Sequence, residues 1–191
     1  MAESGKELVS QKIEPDSDEL KMIRAARQDP REFGELYRLY VEQVFRYLYS
    51  RTGNVHEAED ITAQTFLAAL ESFDRFRQEE HFASWLFAIA RNKMMDYFRQ
   101  RKHTASFDEV EEVCVEGDLL NKVIQSEQTA ALSKLIQELP EAERELLRLR
   151  FLAEMSFPEI AHFLHRNEDA VKKTTYRLLA RLQSQLEISH D

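Results

Sequence analysis

Six histidines and one cysteine are the residues of this chain best suited to metal or nucleophile chemistry, and their spacing offers little of either. His56, His81, His103 and His190 stand alone. His162 and His165, three apart near a helix end, could share a metal, but no acid or thiol accompanies them at ligand spacing. There is no glycine-rich phosphate loop and no nucleophile motif. Cys114 sits among acids that disfavour its thiolate, so a structural or neutral role is expected of it. These residues point to no catalytic centre, no metal and no cofactor.

The clustered charges point instead to binding. Lys172, Lys173, Thr174, Thr175 and Arg177 share a stretch preceded by Arg166. Lys and Arg can hold phosphates or read guanine edges, and Thr can touch a phosphate or a thymine methyl. Arg91, Lys93, Arg99, Arg101 and Lys102 form a second cluster opposed by one acid, Asp96. Phe76, Phe82, Trp85, Phe87, Tyr97 and Phe98 interleave with it. Cations beside aromatic platforms suit single-stranded nucleic acid. The plain alternative is an aromatic core under a solvated basic face. A third cluster, Glu57-Ala58-Glu59-Asp60 and the polar residues after it, places acids where they favour a helix N-terminus. It could equally dock a partner's basic helix.

Helices must position these groups. Gly and Pro number four each, while helix formers dominate, so an all-α fold is expected. A helix begins at Ser17. Asp29-Pro30 starts the next, which Gly53 closes. Asn54 and Glu57 open a third as a capping box. A fourth runs from about Phe82 to Arg101, completing a helical unit over 17–103. Residues 104–121 hold six acids and no Lys or Arg, the signature of a solvated linker. A second unit spans 122–187. One helix ends at Pro140, the next covers about 141–152, and a short helix from Pro158 to Leu164 leads through His165-Arg166-Asn167 into a last helix. That short-then-long pair has the layout of a helix-turn-helix, whose second helix enters the major groove. Residues 1–16 read as a loose tail.

The net charge of −9 repels DNA when taken alone. Its distribution reverses the argument, because the cations gather on two helices and many acids lie in the linker. One cysteine excludes an intrachain disulfide, no signal peptide opens the chain and no apolar run could span a membrane. A cytoplasmic protein is expected.

Two segments carry a resemblance. HEAEDITAQTFLAAL with FDRFRQEEHFASWLFAIARNKMMDYFRQRK resembles region two of the extracytoplasmic-function (ECF) sigma factors. LPEAERELLRLRFLAEMSFPEIAHFLHRNEDAVKKTTYRLLARL resembles their region four. Together they cover roughly residues 20–186, in family order and without a region-three domain. The resemblance implies a factor that directs bacterial RNA polymerase core to promoter DNA, with an anti-sigma factor as a further partner. It implies polymerase contacts at Glu57, Glu59, Asp60, Thr62, Gln64 and Thr65. For the melted −10 element it implies Phe76, Arg77, His81, Phe82, Trp85, Asn92, Arg99, Arg101 and Lys102. For the −35 element it implies Arg166, Lys172, Lys173, Thr174, Thr175 and Arg177. The exposed apolar part of the 141–152 helix would meet the polymerase flap tip, and the linker would thread the RNA exit channel. One position departs from the family pattern: Asp169 stands where a Gly usually opens the recognition helix. An acid there repels phosphate or accepts from a cytosine amino group. The competing readings are a stand-alone helix-turn-helix regulator, a metal enzyme and a relative that only binds a partner.

Overall fold

The structure is a computed structural model and describes residues 17–77, 81–105 and 127–188. The expected tail (1–16), most of the expected linker with Cys114, and the start of the helix ending at Pro140 lie outside the described residues. Every regular element among the described residues is helical.

The N-terminal unit holds α1 (Ser17–Gln28), α2 (Phe33–Thr52), α3 (Val55–Ser72) and α4 (Phe82–Ala105). Pro30–Glu32 form a single 3-10 turn before α2, capped by Asp29, whose carboxylate accepts from the Arg31 N–H. Gly53 takes φ 66° and its N–H reaches the Tyr49 carbonyl, closing α2. That left-handed conformation is the reason a glycine stands there. The Asn54 side chain accepts from the N–H groups of His56 and Glu57, so α3 starts as the sequence requires. The reciprocal half of the expected capping box goes elsewhere, because the Glu57 carboxylate is taken by Arg101. Leu36, Val44 and Leu48 of α2 meet Ala58 and Ile61 of α3 and Leu86, Phe87 and Met94 of α4 in the core. Helix α4 runs through Ala105, two residues into the expected linker.

The C-terminal unit holds α5 (Glu127–Gln137), α6 (Glu141–Leu147), α7 (Phe157–Leu164) and α8 (Glu168–Ile188). Helix α6 widens into a π-turn at Arg148–Leu152. Ser156 caps α7 in a full capping box with Glu159. His165 ends α7 in the left-handed region, φ 52°, and Asn167 caps α8 by accepting from Asp169 and Ala170. Helices α7 and α8 thus form the expected helix-turn-helix.

The two units do not stand apart. Leu149, Met155, Ile160 and Phe163 join the same hydrophobic core as Tyr47 and Phe87. Helix α7 lies on α4, and the π-turn lies on α2. A smaller cluster of Leu139, Leu147, Leu178 and Leu182 ties α5 and α6 to α8. No helix among the described residues is long and apolar enough to cross a membrane.

Candidate nucleic-acid interface

The α4 face is built on rings. Phe76 (5% exposed) and Phe82 (1%) are core residues, packed with Phe73 and Trp85 at centroid distances of 4.7–6.3 Å. Arg27 donates to the Phe76 carbonyl at 2.7 Å and fixes the loop. Phe76 and Phe82, which the resemblance implies for the −10 element, lie inside this cluster, and their apolar area holds the turn between α3 and α4. What they support is Trp85, half-buried and stacked on Phe76 at 4.7 Å. Trp85 borders a cleft of about 410 Å³ together with Arg75, Arg77, Arg91, His162, Phe163 and His165. Arg75 carries no signal in the sequence, since only the 3-10 turn places it there. Arg77 is exposed, and its guanidinium donates to the Asp74 carbonyl. Asn92 is exposed. Arg99 is exposed and paired with Asp96 at 2.8 Å. Arg101 is engaged by Glu57 at 3.0 Å, and the Lys102 side chain lies outside the described residues.

His81 stacks on His162 at a centroid distance of 4.0 Å. Sequence spacing pairs His162 with His165 and gives no hint of this contact across units. Burial lowers the His162 pKa, with further lowering from His81 and His165. Among the described residues no three His, Cys, Asp or Glu groups are gathered as metal ligands.

The six expected polymerase residues on α3 separate into two sets. Thr62 and Thr65 are buried, and their hydroxyls donate to the carbonyls of Ala58 and Ile61 at 2.7 Å each. Glu57 turns towards α4, where it meets Arg101 and helps burial raise the pKa of the Tyr97 phenol. These three hold α3 against its neighbours. Glu59, Asp60 and Gln64 are exposed, and the Glu59 carboxylate lies 3.5 Å from the His56 ring. Beside them Tyr37 and Leu67 expose large apolar area, Leu67 at 58%. Phe151, in the π-turn, is 48% exposed.

On α8, Val171, Thr175 and Leu178 face inward. The Thr175 hydroxyl donates to the Val171 carbonyl, and the side chain is fully buried against the unit. Lys173 and Arg177 are exposed, as is Arg166 in the turn. Thr174 is half-buried and donates to the Ala170 carbonyl at 2.8 Å. Lys172 is held by Glu168 at 2.6 Å, and that hydrogen bond raises its pKa. Asp169 is exposed in the first turn, where the helix N-terminus favours an acid.

Family models agree with this architecture. Sigma-70 region 2 matches residues 36–104, and Sigma-70, region 4 matches residues 129–182. The chain is 35% identical over 175 residues to the ECF RNA polymerase sigma factor BldN of Streptomyces coelicolor, covering 87% of this chain and 66% of that protein. It is 31% identical over 162 residues to the ECF RNA polymerase sigma factor SigM of Bacillus subtilis, covering 78% of this chain and 92% of that one. Among solved structures, CnrH in complex with the cytosolic domain of CnrY aligns with TM-score 0.59 at 24% identity, over 89% of this chain and 97% of that one. The sigma factor RpoE of Bartonella quintana, in complex with the anti-sigma factor NepR, aligns with TM-score 0.57 at 22% identity, over 83% and 98%. At these identities the two solved structures support the fold. The order of the matched regions and the curated relatives establish the family: the chain belongs to the ECF sigma factors of the sigma-70 family, which direct RNA polymerase to promoters.

Proposed function

We propose that this chain docks on bacterial RNA polymerase core through Glu59, Asp60 and Gln64 with the neighbouring Tyr37 and Leu67. Phe151 supplies a second contact from the C-terminal unit. The −35 element is read by Lys173 and Arg177 on α8 with Arg166 in the turn, and Lys172 contributes once released from Glu168. The melted −10 strand follows Arg77, His81, Trp85, Asn92 and Arg99. The single observation that carries this reading is the separation of exposed charge: cations gather at α4 and α8, while the exposed polar part of α3 is acidic. Complementary charge steers encounter and sets orientation. The protein acts as a cytoplasmic initiation factor and not as an enzyme. An anti-sigma factor is a further partner, as for the RpoE structure that shares the fold.

Gel filtration with purified bacterial core polymerase tests the reading. The wild-type protein co-elutes with core, and the double variant Asp60→Lys, Gln64→Lys does not. Absence of wild-type co-elution, with a DNA footprint obtained without polymerase, would overturn it in favour of a stand-alone regulator.

A further inference from the structure

Two acids open α8, and the fold uses them differently. Glu168 is spent on Lys172, whose ammonium lies 2.6 Å from its carboxylate. Asp169 is exposed, and its carboxylate has no hydrogen-bond or ion-pair partner among the described residues. The helix start does not depend on it. The Asn167 side chain already accepts from the N–H groups of Asp169 and Ala170, and Glu168 already sets a negative charge in the first turn.

Asp169 also stands on the outward face. Val171, Thr175, Leu178 and Leu182 are buried on the other side of α8. At 3.6 residues per turn, Asp169 lies roughly 200° round the helix from Val171. Exposed Lys173 follows it four residues later on the same row, and exposed Arg177 four after that. Asp169 therefore leads the row of cations assigned to the −35 element. The N-terminal residues of a recognition helix are the ones that meet base edges.

We infer that Asp169 is a specificity-determining residue, its carboxylate accepting from the amino group of a cytosine in the major groove of the −35 element. The inference rests on α8 as the −35 reader. An ionised carboxylate can only accept, so it needs a donor. On the major-groove edges only the cytosine and adenine amino groups donate, while guanine and thymine present acceptors and no donor. The adenine amino group stands beside the N7 acceptor, which repels a carboxylate; the cytosine amino group has no such neighbour on its own base. Lys173, one turn on, offsets the repulsion that a lone acid meets on approaching phosphates.

The test uses holoenzyme assembled from core polymerase and the full chain. Duplexes randomised over the upstream element are selected for binding and sequenced. Wild type shows one position at which cytosine is preferred about tenfold, the lower end for a single base contact. Asp169→Ala levels the preference at that position and leaves the others in place. Asp169→Asn moves the same position towards adenine, because an amide both donates to N7 and accepts from N6. Variants that bind every sequence more tightly by the same factor, with preferences unchanged, would make Asp169 only a source of phosphate repulsion and overturn the inference. So would a lower thermal midpoint with unchanged preferences, the mark of a merely structural acid. A wild type with no upstream preference at all would overturn the −35 reading together with this inference, whereas preferences that neither variant moves overturn this inference alone.

Discussion

Lys172 and Lys173 are neighbours in sequence and unlike in structure. Glu168 holds Lys172, while Lys173 is exposed on the outer face of α8. Removing one cation from a phosphate lowers the salt slope of duplex binding by roughly one. Lys173→Ala and Arg177→Ala are each expected to show that drop when the holoenzyme is titrated onto promoter duplex by fluorescence anisotropy across a salt series. Lys172→Ala should change the slope less, because its ammonium must first leave Glu168. Equal slopes for all three variants would mean the face is assigned wrongly. Phe76 gives a different expectation. It is buried in a five-ring cluster with Phe73, Phe82, Trp85 and Phe33, so Phe76→Ala leaves a cavity costing about 3–5 kcal/mol. Urea unfolding should show the destabilisation in the free protein, before any DNA is present. A variant as stable as wild type with a defect only in strand opening would restore the direct base contact that the burial argues against.

At the scale of the element, the caps were legible because their chemistry is local. Asp29, Gly53, Asn54, Ser156 and Asn167 all do what their positions require. Ser156→Ala should cost about 1 kcal/mol, since it removes the acceptor for the Glu159 N–H and half of a capping box. Thermal unfolding would read it as a midpoint a few degrees lower, and an unchanged midpoint would mean α7 is held by packing alone. What the sequence did not show is which polar residues are spent on packing. Thr62 and Thr175 sit in polar stretches, yet both are buried with their hydroxyls returned to the backbone four residues earlier. A threonine can satisfy its own hydroxyl that way and pack as an apolar residue. Periodicity read from hydrophobic letters alone misses this. Glu57 is the same kind of case, because its partner Arg101 is far along the chain.

The order of two helical units and the helix-turn-helix were readable in the chain, but their mutual packing was not. Contacts such as Arg51 with Glu145 join residues 94 positions apart, and local spacing carries no trace of them. The same packing creates a pH dependence of the whole molecule. The folded protein lowers the pKa of His162 below the usual histidine value, chiefly by burial and then by His81 and His165. Near pH 6.5 the unfolded chain therefore binds more protons there than the folded one, and stability rises with pH through that range. Acidification below it should lower the unfolding midpoint, and His162→Gln should flatten that dependence. A wild-type midpoint that rises on acidification through the same range would contradict the sign.

Promoter-specific initiation is the central claim, and run-off transcription tests it most directly. Core polymerase would be supplied with a library of genomic fragments, with and without the protein. The account predicts discrete transcripts that require the protein, whose start sites share two upstream elements. Transcripts identical with and without the protein, at a concentration where it co-elutes with core, would contradict it.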